Sequence, residues 1–194
     1  IGKTTNALER LVSKENIKNV GELEKEFYDI KQKHLSLALE LFPDGHTSLL
    51  KALDELFRDL WDAINTSYPN PFQAYDAIVG VGEQLASLIV EYVAIARNLP
   101  ITKVNPATII ATDSNFTNAN IEWPNTKTNV NSLLRPILNK HGIVLTQGFI
   151  GADKQGHYTT LGREGSDFTA AVLANLLQAN EVTIWKDVPG VMNA

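Results

Sequence analysis

The sequence predicts an α/β fold, with helices covering a mainly parallel sheet and a first half that is almost wholly helical. Three observations predict it. Apolar residues recur at helical spacing through the first half, short β-like runs begin only after Pro100, and from there strands and helices alternate.

From Val20 to Leu41 the apolar positions Leu23, Phe27, Ile30, Leu37 and Leu41 share one helix face. Phe42-Pro43-Asp44-Gly45 ends that helix, because proline and glycine interrupt the hydrogen-bond ladder. Leu49, Leu53, Leu56, Phe57, Leu60 and Ile64 form a second stripe. The short connection predicts that the two helices pack as an antiparallel hairpin. A third helix begins near Pro71, is interrupted at Gly80-Val81-Gly82, and resumes from Glu83 to Asn98 with Leu85, Leu88, Ile89, Tyr92 and Val93 on its apolar face. Thr108-Ile109-Ile110-Ala111 reads as a short strand. The Asn-rich stretch from Asp113 to Asn131 reads as a surface loop, leading into a helix with Leu133, Leu134, Ile137 and Leu138 and closed by Gly142. Ile143 to Thr146 is expected as a buried strand, Phe168 to Ala179 as a helix, and Val182 to Trp185 as a further strand.

Bulk composition narrows the function classes. The 194 residues are 44% hydrophobic and 20% charged, enough for a packed core. A net charge of −5 argues against a nucleic-acid partner. With no cysteine, a disulfide framework and a Cys-ligated metal are excluded, which fits a cytoplasmic protein. No apolar run is read as approaching the ~18–20 residues that span a bilayer. His34, His46, His141 and His157 show no metal-ligand spacing, so no metal site is predicted. The first residue is Ile1, so the natural N-terminus is expected to precede it.

The densest chemical signal runs from Gln147-Gly148-Phe149-Ile150-Gly151 to Thr159-Thr160-Leu161-Gly162-Arg163-Glu164-Gly165-Ser166-Asp167. Its glycines let backbone N–H groups approach a ligand, and Ser166 and Asp167 are expected to cap the helix at Phe168. That helix start favours a bound anion. Arg163 can grip a carboxylate through two parallel hydrogen bonds, and Asp167 can bind an ammonium. Together they can hold both ends of an amino acid. A single cap or a single arginine would be ordinary loop chemistry; the whole stretch reads as a ligand site. Glu83, after Gly82, is either a simple helix-dipole partner or a group that orients Arg163 or accepts from a substrate amine. Gly2-Lys3-Thr4-Thr5 has the form of the tail of a phosphate-binding loop. Trp185-Lys186-Asp187-Val188-Pro189-Gly190 ends a strand in a tight turn, a place for a nucleotide in such a sheet.

The run from Gly148 through Leu161-Gly162-Arg163-Glu164-Gly165-Ser166-Asp167-Phe168-Thr169-Ala170-Ala171 resembles the signature of aspartate kinases. Gly2-Lys3-Thr4-Thr5-Asn6 looks like that family's early substrate loop, Gly82-Glu83 its central Gly-Glu pair, and Trp185 to Val191 its nucleotide-side turn. The resemblance implies a three-layer αβα sandwich of the amino-acid kinase type. It implies transfer of the γ-phosphoryl group of ATP, with Mg²⁺, to the side-chain carboxylate of L-aspartate, the first step toward lysine, threonine and methionine. It further implies that Thr5, Phe149, Arg163, Glu164, Gly165 and Ser166 contact aspartate and that Glu83 and Asp167 act as substrate-orienting catalytic groups. Lys186, Asp187 and Met192 would lie at the nucleotide, with Lys186 and Met192 departing from the family's usual Thr and Tyr. The family's N-terminal Lys-Phe-Gly-Gly segment, the end of its nucleotide half and its regulatory domains are expected to lie outside this sequence. The fragment is therefore expected to be inactive alone, and the full-length enzyme to be a homo-oligomer. A kinase for another small amino acid and a non-catalytic amino-acid-binding module are the competing readings.

Overall fold

A computed structural model describes residues 3–12, 20–140 and 142–185. Five helices build the first half: α1 (Thr4–Val12), α2 (Val20–Leu41), α3 (Thr47–Asn65), α4 (Pro71–Val79) and α5 (Val81–Ala96). Their apolar stripes meet in one cluster in which Leu8, Leu49, Leu53, Leu60 and Leu85 are fully buried. Each such side chain contributes roughly 1.5–3 kcal/mol by leaving water. α2 and α3 form the expected antiparallel hairpin: Phe27 stacks edge-on against Trp61, and His34, nearer the turn, against Phe57. His34 is fully buried, its Nδ1 lies 2.8 Å from the Ile30 carbonyl, and burial pushes its pKa down.

The helix boundaries follow local chemistry. Asn70 caps α4 by accepting from the Phe72 amide, and Pro71 takes the first-turn position where its missing N–H costs nothing. At Gly80 α4 passes directly into α5, and the span 71–96 is long and apolar enough to cross a membrane. This corrects the reading that no run approaches that length. Half of the spanning window is buried inside the protein, which is what a core helix shows.

In the second half, β1 (Ile101–Lys103) pairs in parallel with β2 (Ile143–Leu145), Thr102 opposite Val144. An antiparallel hairpin follows, β3 (Ile150–Ala152) with β4 (Tyr158–Thr160), and Ala111 bridges in parallel to Ala152. A helical run connects β1 to β2: α6 (Trp123–Asn129), a π-helical turn over Val130–Leu134, and α7 (Arg135–Leu138). α8 (Gly165–Leu177) closes the described chain. Ile109, Ile110, Val130, Leu134, Leu161 and Val172 make a second, smaller core beneath it.

Four local expectations are corrected. Thr108–Ala111 is not a strand: Asn105 accepts from the Ala107 amide and starts a 3₁₀ turn over Pro106–Thr108, leaving only Ala111 in a bridge. The stretch 113–131 is not all loop, because α6 begins inside it at Trp123. β2 is less buried than its aliphatic run suggested, with Ile143 45% exposed. Val182–Trp185 forms no strand, since no backbone partner pairs with it among the described residues, and Trp185 stands 90% exposed.

Candidate functional site

Three helix starts and one loop converge on a single cleft of about 740 Å³. α1 brings Thr5, Asn6 and Glu9; α5 brings Glu83; the start of α8 and the turn before it bring Gly162 to Asp167; the loop after β2 brings Phe149. Thr5, Glu83, Phe149, Arg163, Glu164, Gly165, Ser166 and Asp167 were expected at a substrate from sequence, and all eight line this cleft. Lys186, Asp187 and Met192, expected at the nucleotide, lie outside the described residues, as does Gly2.

Close approach of backbones makes the convergence possible. A Cβ on Gly82 would sit 2.9 Å from Leu8 Cδ1, so the first turn of α5, with Glu83, packs tightly against α1. A Cβ on Gly165 would meet the Phe149 ring at 2.7 Å. The loop is also tied to α8 by hydrogen bonds: the Phe149 amide donates to Thr169 Oγ1, and that hydroxyl donates to the Gly165 carbonyl.

The expected capping is corrected. α8 starts at Gly165, so Ser166 and Asp167 lie within its first turn, and the N-cap position is Glu164 in a left-handed conformation, φ 57°. That conformation is costly for a residue with a side chain. Six such non-glycine residues occur among the described positions, and their distribution is uneven. Asn98 and Gln178 end helices, where left-handed backbone is common. Thr117, Phe149 and Glu164 line the cleft, and Lys3 lies two residues from Thr5. Strain held in place this way collects at ligand sites.

The cleft sets one cation among four carboxylates. Arg163 is exposed at the cleft, with Glu9, Glu83, Glu164 and Asp167 around it. Burial raises the pKa of Glu83. Tyr75 donates to Glu9 Oε1 at 2.7 Å, and burial, then this bond, raise the Tyr75 pKa well above its ordinary value. An arginine can take a carboxylate while Glu83 or Asp167 takes an ammonium. Among the described residues no group of three or more His, Asp or Glu side chains could hold a metal ion.

Sequence reasoning missed Asn6, Glu9, Tyr75, Thr117, Thr160 and Gly162 as lining residues. It also missed Asp76, a fully buried carboxylate behind the cleft. Thr160 and Gly162 sit inside the stretch read as a ligand site, and Asn6 inside the early substrate loop, without being singled out as contacts. Glu9 and Tyr75 lie 66 residues apart, and no local pattern joins them.

The model of the amino acid kinase family matches residues 2–194. The chain is 38% identical over 116 residues to lysine-sensitive aspartokinase 3 of Escherichia coli (strain K12), covering 60% of this chain and 26% of that protein. It is 31% identical over 165 residues to an aspartokinase of Chlamydia trachomatis, covering 85% and 36%. A crystal structure of E. coli aspartokinase III in complex with aspartate and ADP superposes with a TM-score of 0.84 at 29% identity, covering 96% of this chain and 40% of that one. The chain thus spans about a quarter to two fifths of the length of these relatives.

Proposed function

The chain belongs to the amino acid kinase family, and from that premise we propose that its cleft binds L-aspartate for phosphoryl transfer from ATP to the side-chain carboxylate. One observation carries the reading: the eight residues that the aspartate-kinase resemblance assigns to the substrate, Thr5, Glu83 and a group from Phe149 to Asp167, line one cleft. Similarity to aspartokinases, one of them solved with aspartate and ADP, supports it.

In this reading Arg163 takes the α-carboxylate through two charge-assisted hydrogen bonds, and Glu83 and Asp167 take the ammonium. Thr5, Ser166 and the backbone at Glu164 and Gly165 complete the grip, with Phe149 as the apolar side. The substrate's second carboxylate is then left to attack the γ-phosphorus in line. A carboxylate oxygen–phosphorus bond forms, the bond from phosphorus to the bridging oxygen breaks, and ADP leaves. The attacking carboxylate is already ionised at neutral pH, so the reaction needs no general base. Glu83 and Asp167 therefore act by orientation, and catalysis comes from positioning and charge neutralisation. Lys186, Asp187 and Met192 are assigned to the nucleotide by resemblance. Mg²⁺ would enter with the ATP phosphates, since the described side chains form no cradle for it. The same reading makes the full-length protein a cytoplasmic homo-oligomer of amino-acid biosynthesis.

The test is ATP-dependent formation of an acyl phosphate by the full-length protein, trapped with hydroxylamine. L-Aspartate is expected to give hydroxamate. Losing the two charged hydrogen bonds in Arg163→Ala is expected to lower kcat/KM by about 100-fold or more. A folded full-length protein that gives no hydroxamate with L-aspartate overturns the assignment.

A further inference from the structure

Asp76 sits in α4 and has no place in the mechanism above, yet it is 0% exposed. Its carboxylate faces outward from the helical half toward two separate segments, the loop at Thr117 and the end of β4. Oδ2 accepts the backbone N–H of Thr160 and that of Thr117, each at 2.9 Å. Oδ1 accepts the Thr160 hydroxyl at 2.6 Å and shares the Thr117 amide at 3.1 Å. Both threonines line the cleft.

What these bonds hold is not ordinary backbone. Thr117 is left-handed, φ 69°, a conformation that persists only where its surroundings fix it. Thr160 ends β4, two residues before Gly162, itself at φ 76°. A Cβ on Gly162 would lie 2.7 Å from the Asn118 side chain and 3.4 Å from the Thr117 carbonyl, so this turn rests directly on the 117–118 loop. The Ala119 amide donates to the Thr160 carbonyl and ties the same two segments again. Arg163 is the next residue after that turn.

We propose that Asp76 is a positioning residue for the substrate cleft: it pins Thr117 and Thr160 into one wall and so fixes where the Gly162 turn presents Arg163. The proposal rests on the reading of this cleft as the aspartate site. Asp76 touches no substrate and acts only through the loops it holds.

The chemistry of the contact separates charge from geometry. In Asp76→Asn the amide oxygen at the Oδ2 position still accepts both backbone N–H groups, and the new NH₂ donates to Thr160 Oγ1, which can accept, giving up only the longer 3.1 Å contact with the Thr117 amide. In Asp76→Ala both amides and the hydroxyl lose their partner. In the full-length protein, Asp76→Ala is expected to raise KM for L-aspartate about tenfold or more while KM for ATP stays within about twofold; Asp76→Asn is expected to restore KM to within about threefold of wild type. By hydrogen exchange, the Thr117 and Thr160 amides lose protection in Asp76→Ala and keep it in Asp76→Asn, with α2 and α3 unchanged. An unaltered KM for aspartate in folded Asp76→Ala, equal losses for both substrates, or unaltered protection at Thr117 and Thr160 overturns the proposal. If Asp76→Ala does not fold, Thr160→Val deletes only the 2.6 Å bond, and an unchanged KM for aspartate there overturns it. If the wild-type protein fails to turn over L-aspartate, the functional assignment falls, and the exchange measurement still decides whether Asp76 holds the wall.

Discussion

Residues 4–96 and residues 101–177 meet at the cleft, and they are held together by different means. The first region is a helical cluster whose interior is mostly Leu, Ile, Val and Phe, with His34 and Asp76 fully buried among its helices. The second has strands of three residues and a small apolar core. Its buried positions include Thr112, Thr126, Asp153, Thr159 and Thr160, each engaged in a side-chain hydrogen bond. Hydrophobic burial is nondirectional and tolerates small shifts, whereas a buried hydrogen bond demands a particular geometry and is costly to leave unmade. The helical region therefore holds most of the apolar burial, and the polar region, tied to it through Asp76, sets the shape of one cleft wall.

The largest expected effect tests the helical side. Leu53 is fully buried in the cluster. Leu53→Ala is expected to cost about 3 kcal/mol of unfolding free energy by urea titration, through lost burial and the cavity left behind. KM for aspartate, measured on the remaining folded protein, stays unchanged. A raised KM with little loss of stability would break the division, because it would make the helical core part of the site's geometry.

A second test asks whether the polar side obeys hydrogen-bond rather than burial energetics. Thr112 Oγ1 and Thr159 Oγ1 lie 2.7 Å apart, both buried. Thr112→Val strands the Thr159 hydroxyl and is expected to cost about 1–2 kcal/mol; in the double variant with Thr159→Val both polar groups are gone, and most of that cost returns. Additive losses in the cycle would show that the pair is not coupled and that the wall is held otherwise.

The same contrast explains what was legible in the sequence. α2 and α3 were readable because Leu, Ile and Phe at helical spacing report directly on a buried face. The motif residues of the cleft were readable through the family signature, and no periodicity or composition would have joined Thr5 to Glu83 and Arg163. Thr108–Ala111 misled because β-branched residues there are buried without a ladder; Asn105-Pro106, a turn signal, was the better guide. The β3–β4 hairpin was hidden by glycines and by its length of three residues a strand. Asp76 escaped notice because a single acid inside an apolar helix carries no local mark, and its partners are 41 and 84 residues away.

The smallest expected effect lies on the seam itself, at Glu83, where the demands of stability and function oppose each other. Burial raises its pKa from the ordinary 4.5, so the folded state binds this proton more tightly than the unfolded chain does. By linkage, its contribution to stability is fully present below the ordinary value and is lost as pH rises through the raised one. At neutral pH the ionised, half-buried carboxylate is thus a cost to the fold. Glu83→Gln is expected to stabilise the protein modestly at pH 7, and the gain should vanish below the ordinary carboxylate range, where Glu83 is protonated and close to glutamine in shape. Function runs the other way, because only the ionised form attracts the substrate ammonium. KM for aspartate in the wild-type protein should begin to climb, as pH falls, while an ordinary carboxylate is still ionised. In Glu83→Gln, KM should be higher throughout and flat over that range. A wild-type KM that does not move until the substrate's own carboxylates titrate would mean that Glu83 does not hold the ammonium.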